Sequence, residues 1–359
     1  MKHNFKNAGA ALLSLVMLLS LAACGTTAKT AAETETAAPT ETAAVTADAE
    51  TESNDLFTDR DLSQSPDLTD ASEKTLSDGD TLTITAEGVY VLSGEAENAQ
   101  VVVEAPEDAK VQLVLDGLTV TNDSTPVIYV KSADKVFVTT TASDNALSVT
   151  GAFTADGDTN TDAVIFSKDD LVLNGTGTLT LSSTDNAVAS KDDLKVTGGT
   201  YVIDCASHGL EANDRALIAG GTLTISAKEG IEATYVYVCG GTLTISATDD
   251  GINATANSDA YPVCIEITGG DVTITMAQGD TDALDSNGSL IVSGGTLDIT
   301  AQFAFDFITT AQHTGGTITV NGETVDEITE SMMMGGGMGP MQGGMPGQMQ
   351  GGMGGHGHP

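Results

Sequence analysis

The sequence predicts an all-β chain that folds as a parallel β-helix, a solenoid of short strands stacked turn upon turn. A glycine pair keeps returning, and apolar and polar residues alternate between the pairs, as in GGTLTISAKEGIEA. Alternation with period two is typical of half-buried strands, and a repeat of this length indicates units that must stack to bury their apolar sides. The second glycines, spaced by 22, 20, 29, 25 and 21 residues, are Gly199, Gly221, Gly241, Gly270, Gly295 and Gly316. An array of β-sandwiches, the other all-β arrangement considered, would need far longer repeats.

The charge balance narrows the classes of partner. The chain has 51 acidic and 13 basic residues, which gives a formal net charge of -38. This charge argues against nucleic acid and anionic membrane surfaces as partners, because the electrostatic attraction has the wrong sign. Cations are favoured instead. Trp is absent and aromatic residues make up 4% of the chain, so a sugar site would depend on polar groups or on the six Tyr and eight Phe.

The first 24 residues read as a lipoprotein signal peptide. Lys2 and Lys6 precede a run of small and apolar residues at 8–22, and the run ends in LAACG, which resembles the bacterial lipobox. In signals of that kind the cysteine, here Cys24, is lipidated with chains such as palmitate and becomes the first mature residue. We therefore expect a lipid anchor at the extracellular face of the membrane of a Gram-positive type of bacterium. The alternative is an ordinary secretory signal in which Cys24 is incidental.

Two further segments lack the composition of a packed domain. Residues 25–70, rich in Thr, Ala, Glu and Asp, are predicted to be a disordered acidic linker, since they carry too little apolar surface to offset the entropy of ordering. Residues 331–359 are a Met- and Gly-rich tail, also predicted to be disordered. Binding of a soft metal by its methionines with His356 and His358 is an alternative to a tail without specific function.

The domain between them, residues 71–330, is predicted to consist of turns with three short strands and three corners each. Thr222 and Thr224 should face solvent, whereas the alternating aliphatic residues Leu223, Ile225, Ile231, Val236 and Val238 should face the core. About a dozen turns at roughly 4.8 Å each would form a rod about 50 Å long. The three cysteines outside the signal cannot make a complete disulfide framework, so we expect free thiols at Cys205, Cys239 and Cys264.

A family resemblance rests on a run at residues 88–139, GVYVLSGEAENAQVVVEAPEDAKVQLVLDGLTVTNDSTPVIYVKSADKVFVT, followed by the GGTLTI and DGI phrases. Over about residues 75–325 the chain resembles the carbohydrate-binding-domain family of clostridial surface proteins. The resemblance implies a right-handed parallel β-helix, similar in shape to pectate lyases, with calcium bound along its side. It also implies binding to plant cell-wall polysaccharide, either cellulose or acidic pectin.

A recurring phrase of an acid, a small residue and an aliphatic residue predicts a column of carboxylates on one edge. The phrase places Glu229, Asp250 and Asp282 in the column, with His208 and Asn186 further along; it also occurs as Asp162-Ala163-Val164 and as Asp306-Phe307-Ile308. Like charges one strand spacing apart repel one another, and a shared Ca²⁺ would relieve that repulsion. A solvated charged edge without metal is the alternative. Our predicted ligands form two groups: Asp249, Asp250, Asn253, Asp280, Asp282 and Asp285, and Glu211, Asp214, Glu229 and Glu232.

Three functions are compatible with these features. The first is a monomeric, non-catalytic module that binds polysaccharide at the cell surface; the second is a structural or adhesive surface protein without a sugar ligand. The third is a calcium-dependent polysaccharide lyase, for which Lys228 is the least unsuitable base and Arg215 a weaker one. His208 and His313 lack a partner nucleophile and are interpreted as surface or corner residues rather than catalytic ones.

Overall fold

The computed structural model describes residues 56–279 and 281–330, and nearly all regular structure in that part of the chain is β-strand. A short helix, α1 Asp59–Leu62, precedes the strands. The strands are β1 Ser72–Thr75, β2 Thr81–Ile84, β3 Gly88–Glu97, β4 Gln100–Glu104, β5 Lys110–Asn122, β6 Ile128–Ser132, β7 Lys135–Thr140, β8 Asp144–Val149, β9 Ala163–Ser167, β10 Asp170–Gly175, β11 Thr178–Ser183, β12 Asn186–Ser190, β13 Leu194–Val196, β14 Thr200–Cys205, β15 His208–Ala212, β16 Arg215–Ile218, β17 Thr222–Ala227, β18 Glu229–Ala233, β19 Tyr235–Val238, β20 Thr242–Ala247, β21 Asp250–Ala254, β22 Cys264–Ile267, β23 Asp271–Met276, β24 Asp282–Ser286, β25 Ser289–Val292, β26 Thr296–Thr300, β27 Phe303–Phe307, β28 Thr310–His313, β29 Thr317–Val320 and β30 Glu323–Val325.

The strands stack in parallel as a solenoid, which confirms the predicted fold. A ten-stranded sheet takes one strand from each turn, in the order β2-β4-β6-β9-β12-β15-β18-β21-β24-β27. The twenty-stranded sheet supplies the other two sides, as two ladders that run through β7-β10-β13-β16-β19 and β8-β11-β14-β17-β20. At the end of the second ladder, β30 pairs antiparallel with β29.

Three strands per turn were predicted correctly, but the number of turns was not. The ten-stranded sheet defines ten turns rather than a dozen. With nine spacings of roughly 4.8 Å the stack is about 43 Å long. The prediction was too high because loops at residues 150–162 and 255–263 lengthen two turns, so the same length of chain divides into fewer of them.

The core follows the predicted alternation. Leu223, Ile225 and Ile231 are buried with the equivalent residues of neighbouring turns, whereas Thr222 and Thr224 are exposed. The second glycine of every pair lies at the corner before a strand of the second ladder, with a φ of 77° to 89°. A Cβ on Gly221 would also approach the carbonyl oxygen of Gly199, one turn below, to 3.0 Å. The glycine pairs therefore set the corners, since other residues rarely adopt that φ.

All three cysteines in this part of the chain are free, as expected. No helix within residues 56–279 and 281–330 is long and apolar enough to cross a membrane. The signal peptide with Cys24 and the Met- and Gly-rich tail lie outside the described residues, so their predicted roles stay predictions.

The described part of the N-terminal segment departs from the predicted linker. Residues 56–70 pack on the first ladder, where Phe57 is buried against Leu217 and Tyr237. The segment carries α1, whose first turn is capped by reciprocal hydrogen bonds between Thr58 and Asp61. The boundary predicted at residue 70 is therefore wrong. The amino-acid composition of the segment does not reveal the few specific contacts that order it.

The strongest of these contacts is a buried ion-pair network. The Asp61 side chain is fully buried and accepts from Lys135 Nζ of β7 at 3.3 Å and from Lys195 Nζ of β13 at 3.2 Å. Burial alone would raise the pKa of Asp61, but the Thr58 backbone N–H and the two ammonium groups outweigh burial and hold this pKa below its usual value. Asp61 therefore bridges two lysines of the first ladder, of which Lys135 also lies 3.6 Å from Asp170 Oδ2.

The substitution Asp61→Ala should destabilise the solenoid, because it leaves two largely buried ammonium groups without their shared partner. We expect a loss of about 3–5 kcal/mol in the free energy of unfolding, measured by denaturant titration. Asp59→Ala, in the same helix but exposed, is the control and should change stability by less than about 0.5 kcal/mol. Equal effects of the two substitutions would contradict a specific role for Asp61.

Candidate cation-binding face

The outer surface of the ten-stranded sheet carries the predicted acidic residues, and a local irregularity determines which residues face outward. In β15, β18 and β21 the second residue is glycine, and a Cβ on Gly230 would lie 2.5 Å from Cγ2 of the core residue Ile245. The second position therefore points into the core, as does the aliphatic third residue, for example Ile231. Consequently the first and the fourth residue of these strands both point outward, away from the core.

These outward residues form two parallel ladders along the solenoid. In the order of the turns, the first-position column consists of Asn186, His208, Glu229, Asp250 and Asp282. The fourth-position column consists of Ala189, Glu211, Glu232, Asn253, Asp285 and Asp306. The core of the predicted column is thus correct, and a second ladder lies beside it.

The alignment of the repeated phrase was wrong at its first and last occurrences. Asn186 pairs with Ala163, so Asp162 precedes the strand rather than belonging to the column. Asp306 pairs with Asp285 and lies in the fourth-position column, while Phe303 pairs with Asp282. The error at Asp306 arose because Ile308 was aligned with the aliphatic residue of the phrase, whereas Ile308 is 72% exposed.

His208 is the centre of a cluster of carboxylates. Its Nε2 lies 3.5 Å from Glu229 Oε1 and 3.7 Å from Glu232 Oε2, and its Nδ1 lies 3.9 Å from Glu211 Oε2. Burial would lower the pKa of His208, but the contact with Glu229 and the charges of the three glutamates raise it above its usual value. In its protonated form, His208 therefore serves as an internal counter-ion for this part of the face.

Glu229 connects this cluster with the next turn. Its Oε1 lies 3.1 Å from Lys228 Nζ, which is also 2.6 Å from Asp249 Oδ2, and its Oε2 accepts from Asn253 Nδ2 at 3.1 Å. Burial would raise the pKa of Glu229, but His208, Asn253 and Lys228 together lower it to about 2. Glu229 is thus an ionised group shared by two sets of close ligand atoms, one with His208 and Glu232 and the other with Asp249 and Asp250.

Further along the solenoid the counter-ions end but the carboxylates continue. Burial and the carboxylates of Asp285, Glu229 and Asp249 raise the pKa of Asp250 to about 7. Burial and the Asp306 carboxylate likewise raise the pKa of Asp285 to about 6. Among residues 56–279 and 281–330, no lysine, arginine or histidine forms a salt bridge with Asp250 or Asp285. The negative charges of Asp250 and Asp285 are therefore not balanced by a salt bridge within the described residues.

Asn253 has an orphan acceptor at the boundary between the two ends. Its Nδ2 donates to Glu229 and to Glu232, at 3.1 and 3.3 Å. Its Oδ1 is buried and has no hydrogen-bond donor within the described residues. Because the oxygen and the nitrogen of a side-chain amide point in different directions, Oδ1 is turned away from the glutamates that Nδ2 contacts. An oxygen of this kind is a suitable cation ligand.

The remaining predicted ligands are distributed as follows. Asp282 stacks on Asp250 and its backbone N–H approaches Asp250 Oδ1 at 3.4 Å. Asp214 lies at the corner after β15, where its charge contributes to the raised pKa of Asp192. Asp280 lies outside the described residues.

Sequence reasoning missed the residues that neutralise the face. Lys191 Nζ contacts Glu211 Oε1 at 3.1 Å, and Asn257 Nδ2 donates to Glu232 Oε1 at 2.9 Å. Lys228 was considered only as a base, although it is an ion-pair partner here. The position of Lys191, at a corner close in sequence to Asn186 of the first-position column, could have indicated its contact with Glu211. No local sequence feature indicates the contact of Asn257, which belongs to the long loop at residues 255–263.

A parallel β-solenoid with an acidic outer face is the class of protein defined by this geometry, and comparison with known proteins narrows it to a family. The family model described as "Carbohydrate-binding domain-containing protein" matches residues 78–259 and 226–334, which together form most of the chain. The chain belongs to this family, which confirms the resemblance found in the sequence.

Two similar proteins accompany the family match. One is a carbohydrate-binding domain-containing protein of Acetivibrio thermocellus, 34% identical over 124 residues, and the match covers 33% of this chain and 43% of that relative. The chain thus matches less than half the length of the relative. The other is the solved structure of a polysaccharide lyase-like protein from C. thermocellum, a gadolinium derivative, with a TM-score of 0.53 and 24% identity over 69% of this chain and 96% of the other. At this identity the likeness concerns the fold alone.

The raised pKa values of Asp250 and Asp285 predict the pH dependence of stability without divalent cations. The folded state binds protons more tightly than the unfolded chain, where a carboxyl has a pKa near 3.9, so stability should rise as the pH falls from 8 towards 4. His208 acts in the same direction, because a raised histidine pKa contributes stability that is complete below about pH 6.5 and is lost as the pH rises through the folded value.

The substitution Asp250→Asn tests this in thermal melts with EDTA. We expect it to raise the melting temperature by roughly 2–4 °C at pH 8 and to flatten the pH dependence, because it removes one repelling charge. Asp271→Asn, which neutralises an exposed acid on the second ladder, is the control and should do neither. A lower melting temperature for Asp250→Asn at pH 8 would show that the Asp250 carboxylate stabilises the face instead.

Proposed function

We propose that the protein is a non-catalytic, calcium-dependent module that binds extracellular polysaccharide at the bacterial cell surface. Membership of the carbohydrate-binding domain-containing family is the observation that carries this proposal. Anchoring through lipid on Cys24, ahead of the solenoid, agrees with display towards a polymer outside the cell. Polymers of the plant cell-wall type, cellulose or acidic pectin, are the proposed ligands.

The acidic end of the ten-stranded sheet supports calcium as the cofactor. Ca²⁺ prefers six to eight oxygen ligands from carboxylates and amide carbonyls, in flexible geometry. Asp250, Asp285 and the orphan Oδ1 of Asn253 supply such oxygens, and their carboxylates lack a protein counter-ion in the described residues. The set around His208 fits calcium less well, because it includes a nitrogen donor and already contains its own positive charge.

Charge explains how such a face would recognise an acidic polymer. The chain carries a net charge of -38, so a polyuronate would be repelled by the bare protein. A divalent cation held by Asp250, Asp285 and Asn253 would supply a local positive charge for a sugar carboxylate. Retention of an acidic polysaccharide should accordingly require the cation.

The proposed absence of catalysis rests on the state of the basic residues. The β-elimination of a uronate requires a neutral base, whereas hydrogen bonds from Lys228 to Asp249 and Glu229 raise the pKa of Lys228 above its usual value. Arg215 forms a bidentate pair with Asp193, at 2.9 and 2.5 Å, which raises its pKa as well. Both predicted bases are thus held as cations. No release of unsaturated product from polygalacturonate, followed by ultraviolet absorbance, is the expected result.

Retention on polysaccharide tests the binding function directly. The purified protein should be retained on polygalacturonate with calcium and released by EDTA, and Asp250→Asn/Asp285→Asn should lower retention at least about tenfold, because two anionic oxygen ligands are lost. The matched control is Asp271→Asn/Asp298→Asn, which removes the same charge from exposed acids of the second ladder. No retention on acidic or neutral polymers would instead support a structural or adhesive role without a sugar ligand.

Calcium should also raise the thermal stability of the protein. A cation that binds only the folded turns stabilises them by about 2.7 kcal/mol at a concentration one hundred times its dissociation constant. We expect a higher melting temperature in calcium than in EDTA, and a much smaller difference for Asp250→Asn/Asp285→Asn. An identical melting temperature of the wild type in both conditions would argue against a calcium site in the solenoid.

A further inference from the structure

The ten-stranded sheet has a second distinctive region at the opposite end of its outer face. The loop at residues 150–162, between β8 and β9, forms one wall of an open cleft of about 380 Å³ above β2, β4 and β6. Small-molecule sites typically have volumes of this order and a few oriented polar groups. The cleft is therefore large enough to accept one sugar residue.

This loop is held in place by its own contacts, so the cleft is preformed. Thr154 N donates to Ser124 O at 2.8 Å, and Asp156 and Thr159 exchange backbone hydrogen bonds at 3.0 Å. Thr161 Oγ1 donates to Thr154 O at 3.0 Å, and Phe153 packs against the core. A preformed site avoids the entropy of ordering a loop when a ligand binds.

The floor and one wall of the cleft carry oriented polar groups. Tyr129, next to Val102 in the sheet, packs edge-on against Phe166 and directs its hydroxyl to Asp156 Oδ2 at 3.1 Å. Lys131 Nζ lies 2.9 Å from the same oxygen and 5.1 Å from the Tyr129 ring centroid. Two donors thus orient the Asp156 carboxylate, and a carboxylate has acceptor sites for further donors such as sugar hydroxyls.

The other lining groups suit an uncharged, hydroxyl-rich ligand. Thr81 and Thr83 of β2 are exposed in the cleft, and the Gln100 amide is oriented by its hydrogen bond to Pro126 O at 2.8 Å. Lys131 is already paired with Asp156, and Glu104 adds another negative charge. A uronate would therefore be repelled here, whereas a neutral pyranose would find donors and acceptors without a charge conflict.

We infer that this cleft, formed by the 150–162 loop over β2, β4 and β6, binds one neutral sugar residue of the polysaccharide. The inference rests on the proposed polysaccharide-binding function and adds a second subsite to it. One continuous ladder joins the two regions, from Val102 and Tyr129 through Phe166 and Ala189 to the fourth-position column. Five strand spacings separate Tyr129 from the turn of Asp250, about 24 Å, so one polymer chain along the solenoid can reach both.

A soluble cello-oligosaccharide, a neutral ligand, tests the cleft by titration calorimetry on the full chain. Asp156→Ala should weaken binding about tenfold or more, because hydrogen bonds to a charged acceptor are lost. Asp158→Ala, in the same loop but outside the cleft lining, is the matched control and should bind like the wild type. Thr83→Trp, at an exposed position of β2, should fill the cleft and abolish binding without disturbing the core.

The outcomes separate this inference from the proposed function. Asp250→Asn/Asp285→Asn should keep its affinity for the cello-oligosaccharide while losing calcium-dependent retention on polygalacturonate. Unchanged affinity in both Asp156→Ala and Thr83→Trp would overturn the cleft. Wild-type protein that binds polygalacturonate but no cello-oligosaccharide would overturn the cleft and leave the proposed function standing. Failure to bind any polysaccharide would overturn both.

Discussion

In-register stacking of parallel strands is the constraint on which the rest of this structure depends. Every outward side chain has an equivalent roughly 4.8 Å above and below it, so each choice of residue is repeated as a ladder. Inside, the ladders are aliphatic and stabilise the solenoid through burial. Outside, the same geometry forces carboxylates into close rows, as in Glu229, Asp250 and Asp282. The corner glycines at positive φ keep the turns in register and thereby maintain both kinds of ladder.

The two ends of the acidic rows meet this repulsion by different means. Towards the N-terminal turns, His208, Lys191 and Lys228 bring positive charge into contact with the glutamates. Towards the C-terminal turns, Asp250 and Asp285 form no salt bridge within the described residues. The repulsion between carboxylates there raises their pKa values instead. A protein without need of an external cation would be expected to neutralise both ends alike. This asymmetry is the physical basis of our proposal that a divalent cation binds at the C-terminal end of the acidic rows.

The sequence predicted the parts of the structure that repeat and failed where the repeat is interrupted. Gly221 and its equivalents revealed the corners, and Leu223 and Ile225 the core, because both recur with the period of the turn. Asp306 was misplaced because the last turn exchanges aliphatic residues for FAFDF, in which Phe305 takes the core position. The cleft escaped notice because it depends on a non-repeating loop above Tyr129. The contact of Asp61 with Lys135 and Lys195 escaped notice because it joins residues 74 and 134 positions apart.

The attachment of the N-terminal segment has a mechanical consequence. Residues 56–64 are fastened to β7, β10, β13, β16 and β19 through Asp61, Phe57 and Gln64, along the side of the stack rather than at its first turn. Tension applied to the chain before residue 56 would therefore load several turns at once and in shear. The force would not act first on the first turn, where strand pairs could separate one after another. A solenoid held in this way would resist a pull on its N-terminal segment without unwinding from its first turn.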